Sequence, residues 1–295
     1  MTPHTSPTHA GSRLTVRPLA GALGAEVGGV DLRHDLSDAT VAELRALLDE
    51  HLVLFFAPRP EGEPGGEPAG GGVDDDQQHA FASRFGSPYA HPIGRMFGRT
   101  ADDVKVEHIV DSVEHPPYQD KWHTDVSWDP ERPTYGTLRA CVLPSRGGDT
   151  IWSSMYAAYE SLSPLLRERI EGLVAVHDMG SMQSFIDKAG ADIVARTREA
   201  YPGTEHPVVG VHPRTGQRYL NVNREFTDRI VGLHPGESRV LLDLLCTAAE
   251  HPNIQLRHSW TVGEVAIWDE YATQHFAVAD YLPESRDMAR VAVGA

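Results

Sequence analysis

The sequence predicts a mainly β protein with flanking helices, organised around a double-sheet jelly-roll core. Apolar runs are short and bounded by glycine and proline turn signals, and only a few stretches show helical spacing. Residue types able to ligate a metal sit mid-chain, at His123 and Asp125, and again near the C-terminus, at His275. Early and late strands must therefore meet if these residues are to act together. No internal repeat is present.

Taken in order, residues 1–13 are small and polar and are expected to form a disordered tail, leaving 14–295 as one domain. Leu14 to Leu32 carries short apolar runs broken by Gly21, Gly24, Gly28 and Gly29, which suits strands and turns. Ser37 is placed to cap a helix in which Val41, Leu44, Leu47 and Leu48 recur at helical spacing through His51. Leu52-Val53-Leu54-Phe55-Phe56 then reads as a buried strand. Residues 58–76, rich in Gly, Pro, Glu and Asp, read as a mobile loop rather than a linker. Gln77 to Phe85 follows as a short helix whose apolar stripe, Phe81 and Phe85, must pack on what precedes it.

From Tyr89 to about Arg139 turn signals dominate and no long helix is expected. Leu138 to Leu143 is a strand ending at the Pro144–Gly148 turn, and Ser163-Pro164 starts a helix. Residues 182–204 are polar and read as helix plus surface loop. Pro207–Val211 and Arg218–Val222 flank Pro213-Arg214-Thr215-Gly216 as a hairpin. Leu241, Leu244, Leu245 and Ala248 mark a further amphipathic helix. Val265–Trp268 is a buried strand, with His275 expected just beyond it.

Bulk composition bounds the function. A chain of 295 residues with 40% hydrophobic residues can bury a sizeable core. Its net charge of −16 argues against nucleic-acid or anionic-membrane partners, so any anionic substrate must be met by a local basic pocket. The two cysteines, Cys141 and Cys246, lack CxxC spacing and are expected in the core of a protein from a reducing compartment. No signal-peptide pattern and no run of 18 apolar residues occurs, which leads us to expect a cytoplasmic location. The expected partners are a small organic substrate and, at most, further copies of the chain.

Trp122-His123-Thr124-Asp125 carries the chemistry. In an extended strand, positions i and i+2 share a face, so His123 and Asp125 would point the same way. Two imidazoles and one carboxylate on one face of a metal, with the opposite positions open, form the ligand set of non-heme Fe(II) oxygenases. With 16 histidines and 42 acidic residues, chance gives roughly two His-X-Asp/Glu matches, so this pair gains weight only from its surroundings.

Those surroundings are Trp122–Ser127, then Gly147-Gly148-Asp149-Thr150-Ile151-Trp152, then Ala266-Ile267-Trp268-Asp269 with Ala272-Thr273-Gln274-His275. In order and spacing they resemble the taurine/2,4-dichlorophenoxyacetate dioxygenase family from about Leu14 to Val293. The resemblance implies a double-stranded β-helix core, Fe(II) held by His123, Asp125 and His275, and 2-oxoglutarate and O2 as co-substrates. It implies that Arg286, helped by Thr150, pairs with the distal carboxylate of 2-oxoglutarate, a match that the planar guanidinium fork suits. Arg290 would face the near carboxylate and the substrate anion. His91 would contact the substrate's acidic head, and Phe226 would line its pocket. Trp122, Trp152 and Trp268 are expected to pack around the metal; the remaining histidines, His108 and His177 among them, are read as structural.

Departures from the family pattern bear on the substrate. Gly94 stands where taurine-specific members place a tyrosine, and Tyr118 and Gln119 stand where they hold an amine. An ammonium buried without those partners would lose on the order of 1–3 kcal/mol per missing bond. The resemblance therefore implies hydroxylation of a small anion (sulfonate, sulfate ester or carboxylate), with C–S or C–O cleavage where the hydroxylated carbon bears the leaving group. A biosynthetic oxygenase acting on an amino acid or other carboxylate is the alternative. A non-catalytic metal-binding jelly roll is the remote one, because it would leave Arg286 and Thr150 without a role.

Overall fold

The structure is a computed structural model that describes residues 14–58, 72–101, 103, 105–118, 120–179 and 190–295. Its large sheet has eight strands. In spatial order these are β1 (Thr15–Pro18), β2 (Ala25–Gly28), β3 (Val53–Phe56), β14 (Val265–Asp269), β6 (Tyr135–Val142), β16 (Arg286–Gly294) and β4 (Ser87–Pro88), and β5 (Glu107–Asp111) also pairs with β16. A smaller sheet carries β13 (Gln255–His258), β7 (Thr150–Ser154) and β15 (Thr273–Ala277). A third holds β12 (Thr227–Ile230), β8 (Val174–His177) and β9 (Thr204–Pro207), and β10 (Val209–Val211) pairs with β11 (Arg218–Leu220) as the expected hairpin. Among the described residues seven α-helices flank the sheets: α1 (Asp38–His51), α2 (Asp75–Ser83), α3 (Pro92–Met96), α4 (Met155–Ser161), α5 (Pro164–Ile170), α6 (Ala191–Ala200) and α7 (Pro235–Ala249). This is the expected jelly roll.

The apolar run at β3 is explained by burial on both faces. Val53 and Phe55 enter the core between the sheets with Trp152 and Trp268. Leu54 and Phe56 face the other way, onto Leu44 and Leu48 of α1 and Phe81 of α2. Trp152 bridges the two sheets, 5.5 Å from the Phe55 ring and 5.8 Å from the Trp268 ring. Each such side chain contributes on the order of 1.5–3 kcal/mol on burial, and together they back the region where β7, β14 and β15 carry polar residues. No helix among the described residues is long and apolar enough to cross a membrane.

Four expectations are corrected. Helix α2 begins at Asp75, because Asp74 and Gln77 form a capping box: Asp74 Oδ1 accepts from the Gln77 N–H (2.8 Å) and Gln77 Oε1 from the Asp74 N–H (2.9 Å). Residues 74–76 thus leave the 58–76 loop, while 59–71, like the 1–13 tail, lie outside the described residues. His275 lies within β15 rather than beyond β14, one strand later and in the other sheet. His123 and Asp125 do not share a strand: His123 makes a single bridge and Asp125 opens a turn. Cys246 is buried as expected, but Cys141 is only half-buried, on β6.

His177 is buried in this framework, its Nε2–H donating to the Asn221 carbonyl (3.1 Å) and its Nδ1 accepting from the Ser127 hydroxyl (3.0 Å). Burial and the neighbouring His206 push its pKa down to about 3. Between pH ~6.5 and ~3 the unfolded chain therefore binds a proton that the native state refuses, so stability rises with pH across that window. We expect urea unfolding to show a His177 contribution of up to about 1.4 kcal/mol per pH unit there. The slope should flatten in His177→Gln; an identical slope in that variant would remove His177 as the source.

Candidate active site

The two histidines are joined by their backbones. The His123 N–H donates to the His275 carbonyl at 3.0 Å, and the His275 N–H to the His123 carbonyl at 2.8 Å. His275 reaches this position because Asp269 ends β14 in a tight turn, its Oδ1 accepting from the N–H groups of Tyr271 (2.8 Å) and Ala272 (2.9 Å). The Thr273 hydroxyl donates to the Asp269 carbonyl (2.7 Å), and the Thr124 hydroxyl donates to the Thr273 carbonyl (3.1 Å). Val126, the residue after Asp125, has φ 49°, a left-handed conformation that a β-branched side chain rarely adopts. Strain of this kind costs on the order of 1–3 kcal/mol and persists where the surroundings over-determine it.

The three side chains converge in a buried cluster. Asp125 Oδ1 lies 3.5 Å from His123 Nε2 and 3.8 Å from His275 Nε2, and one ligand atom from each residue falls within 4.8 Å of the others. His123 Nδ1 donates to the Lys121 carbonyl (2.7 Å), which fixes the tautomer and leaves the Nε2 lone pair facing the cluster. Burial and the neighbouring His123 push His275 down to a pKa of about 3, so its imidazole is neutral and able to ligate. Burial raises the Asp125 pKa, but the Arg290 guanidinium more than offsets it, with help from His123 and His275, and holds the carboxyl well below the usual range. A buried ionised carboxylate and two imidazoles with inward lone pairs fit a divalent metal.

Arg290 and Asp125 are tied together. Arg290 Nε and Nη2 donate to Asp125 Oδ2 at 2.9 and 2.5 Å, leaving Oδ1 for the histidine side. Its Nη1 donates to Glu107 Oε2 at 3.1 Å, across the β16–β5 ladder where the two residues are directly paired.

Arg286, four residues earlier, shares that face of β16. It is 3% exposed, and Nε donates to the Gly148 carbonyl (3.0 Å) and Nη2 to Thr150 Oγ1 (3.3 Å). Thr150 Oγ1 also accepts from Trp260 Nε1 (3.0 Å), so its own proton is free to donate. No carboxylate among the described residues reaches ion-pair distance of Arg286, and such a buried cation suits an anionic ligand. Gly148 is required here: its φ is +71°, and a Cβ would stand 3.2 Å from Arg286 Cδ. A narrow cleft lined by Asp125, Thr150, His275, Arg286 and Arg290 joins this cation to the histidine–aspartate cluster.

On the other side of Asp125 and Arg290 opens a larger cavity of about 450 Å³. His91 and Phe226 line it, as expected. His91 Nδ1 accepts from the Ile93 N–H (3.3 Å) and burial lowers its pKa, so the neutral ring carries its proton on Nε2. Phe226 sets its ring edge toward His123, 6.2 Å between centroids, and its N–H is anchored on Asn223 Oδ1 (2.8 Å). Gly94 also lines the cavity; a Cβ there would meet nothing closer than Arg99 Cβ at 3.6 Å, so the space of the absent tyrosine is open. Tyr118 lines the cavity, and Gln119 lies outside the described residues.

Two residues escaped sequence reading. Glu270 is fully buried; its Oε2 accepts from the Asp125 N–H (3.1 Å) and its Oε1 from Trp268 Nε1 (2.8 Å). Burial and the adjacent Asp125 carboxylate push its pKa well above the usual range. Its place in the acidic pair Asp269-Glu270 after the apolar run Val265–Trp268 was its one sequence signal. Glu107, the partner of Arg290, had none, because only the β5–β16 register brings it there.

A jelly roll carrying two histidines and an aspartate on one face of an open cavity is the architecture of a non-heme iron oxygenase. The chain matches the family model "Taurine catabolism dioxygenase TauD, TfdA family" over residues 15–292 and belongs to that family of 2-oxoglutarate-dependent dioxygenases. It is 36% identical over 286 residues to an alpha-ketoglutarate-dependent sulfate ester dioxygenase of Pseudomonas putida, covering 94% of this chain and 88% of that one. It is 35% identical over 287 residues to an alkylsulfatase of Acinetobacter baylyi, covering 95% and 84%. A crystal structure of a taurine dioxygenase from Burkholderia xenovorans superposes with a TM-score of 0.77 at 34% identity, covering 96% and 90%.

Glu270 gives the clearest test of how the cluster is held. Partners that orient metal ligands typically contribute 10–100-fold in metal affinity, so Glu270→Ala should weaken Fe(II) binding by about that factor. It should also lower stability by roughly 1–3 kcal/mol through the unpaired Asp125 and Trp268 N–H groups. Calorimetric titration of anaerobic Fe(II) and chemical unfolding read the two effects, and unchanged metal affinity would limit Glu270 to a packing role.

Proposed function

We propose that the protein holds Fe(II) through His123, Asp125 and His275, binds 2-oxoglutarate at Arg286 and Thr150, and hydroxylates a small organic anion with an uncharged tail, a sulfate ester first among them. The observation that carries this reading is Arg286: a buried guanidinium without a carboxylate partner among the described residues, in the cleft that also contains Asp125 and His275. Bound together, Fe(II) and 2-oxoglutarate supply an O2-driven oxidation in which the keto acid becomes succinate and CO2 and one oxygen atom enters a substrate C–H bond.

The chain's own groups divide the remaining work. Arg286 and the Thr150 hydroxyl fix the distal carboxylate of the co-substrate. Arg290 holds Asp125 Oδ2, so the carboxylate offers Oδ1 alone on the histidine side. His91 and Arg290 line the larger cavity and form the pair that receives the substrate anion, with Glu107 remaining on Arg290 Nη1. Tyr89, Ile93, Val126, Trp128 and Phe226 line the same cavity and exclude water from the tail. Positioning of the target C–H beside the metal cluster, within about 3–3.5 Å of the reacting atom, follows from these two anchors.

Selectivity against taurine follows from charge. Within the cavity Glu107 is paired with Arg290 at 3.1 Å and Glu225 with Lys121 at 3.0 Å, so each carboxylate already meets a cation. Gly94 offers space but no partner for an ammonium. The names of the sulfate-ester and alkylsulfatase relatives support the same direction. Where the hydroxylated carbon bears the ester oxygen, the product collapses to an aldehyde and free sulfate, the C–O bond breaking as the new hydroxyl loses its proton.

A succinate-release screen over alkyl sulfates, alkyl sulfonates, arylalkanoates, taurine and free amino acids checks the substrate class. We expect alkyl sulfates to exceed taurine in kcat/KM by at least tenfold; a taurine optimum would overturn the charge argument, and turnover of amino acids alone would favour the biosynthetic reading. Asp125→Ala should abolish both turnover and the visible absorption of the anaerobic Fe(II)–2-oxoglutarate complex.

For Arg286→Ala, KM for 2-oxoglutarate should rise by about 2–5 kcal/mol, or roughly thirty-fold to a few thousand-fold, with Fe(II) affinity nearly intact. An unchanged KM would show that another cation holds the distal carboxylate.

A further inference from the structure

On the outer face of the large sheet, away from the active site, His108 of β5, Cys141 of β6 and Asp287 of β16 come together on three adjacent strands. One ligand atom from each lies within 4.8 Å of the other two. The ladder slips here: Asp287 pairs with Val142 and Met288 with Ala140, so Cys141 is the extra residue of a bulge set beside Asp287. Bulges re-aim side chains in this way. The Cys141 thiol lies 3.8 Å from the Arg139 carbonyl and beside the Ala289 backbone N–H, both weak sulfur contacts.

The imidazole is held between two carboxylates. His108 Nδ1 lies 2.9 Å from Asp287 Oδ1, while Nε2 lies 3.2 Å from Asp75 Oδ2 at the start of α2. A carboxylate receiving the distal N–H of a histidine is the usual outer partner of a metal-bound imidazole; it sets the tautomer and leaves the other nitrogen for the ion. Arg139 in turn pairs with Asp75 and steadies it. All three candidate ligands are half-buried or exposed, so an ion can reach them.

We propose that His108, Cys141 and Asp287 form a second metal site, distinct from the catalytic cluster, that takes a borderline divalent ion of the Zn(II) or Co(II) type. One nitrogen, one thiolate sulfur and one carboxylate oxygen suit such an ion, with water as the fourth ligand. Binding displaces the Cys141 thiol proton to solvent and involves no change of oxidation state. The ion clips β5 to β6 and β16. Because Glu107 of β5 holds Arg290, the clip steadies the strand that completes the substrate cavity.

Anaerobic Co(II) titration tests this directly, because a thiolate ligand gives an intense near-ultraviolet charge-transfer band that a site of two histidines and an aspartate cannot. We expect the band to saturate at one Co(II) per chain in Asp125→Ala protein, where the catalytic cluster is disabled. It should vanish in Cys141→Ala, and affinity should fall at least tenfold in His108→Ala. In the unmutated protein, Zn(II) should slow alkylation of Cys141 at least tenfold, a reading that needs no variant to fold. Absence of the thiolate band at saturating Co(II), its survival in Cys141→Ala, or an alkylation rate indifferent to Zn(II) would each overturn the proposal.

Discussion

Two reciprocal hydrogen bonds between His123 and His275 tie the middle of the chain to its last quarter, and the site is assembled around them. A bridge of one residue pair has little stability of its own. It is held from one side by the Asp269 turn, which swings the chain from the large sheet into the small one, and from the other by the Thr124 hydroxyl on the Thr273 carbonyl. Asp125 is held toward both imidazoles by its N–H on Glu270 and by Arg290 on its Oδ2. Remove the turn or the bridge and the three ligands lie on unrelated segments.

Electrostatics sets the rest. Taking a carboxylate out of water is expensive unless it is paired and hydrogen-bonded. Asp125 meets that condition with the Arg290 guanidinium on Oδ2 and two imidazoles near Oδ1. A second ionised carboxylate beside it would be repelled, and Glu270 instead has its proton affinity raised by burial and by Asp125 itself. The two neighbouring carboxyl groups are thus shifted in opposite directions, Asp125 downward and Glu270 upward, while Glu270 anchors the Asp125 backbone N–H.

The same logic explains how a chain with net charge −16 can bind anions. Arg286 and Arg290 lie on one face of β16, on either side of Met288, and each opens onto a different space: Arg286 onto the cleft, Arg290 onto both the cleft and the larger cavity. Two anionic molecules can then approach the cluster from opposite sides of Asp125, with Arg286 reserved to the cleft and Arg290 bordering both spaces. The surface charge is overruled locally because the arginines are buried and poorly screened.

The sequence by itself determined the jelly roll, the family, and the residues at which the chemistry gathers, because buried strands, turn glycines and ligand types are written locally. Val53–Phe56 and Val265–Trp268 were legible as strands from apolar runs alone, whereas Arg286 was singled out only through the resemblance to the family. What only the tertiary structure decided were relations between distant segments. The His-X-Asp pair bends into a turn instead of following a strand, since the histidine bridge and the Glu270 contact fix it from outside. Arg290 is bound to Asp125 and Glu107, and Glu270 stands beneath Asp125, because strand register, which no local pattern encodes, places them there. The bulge at Cys141 belongs to the same category: a one-residue slip between β6 and β16 exists only once both strands are paired.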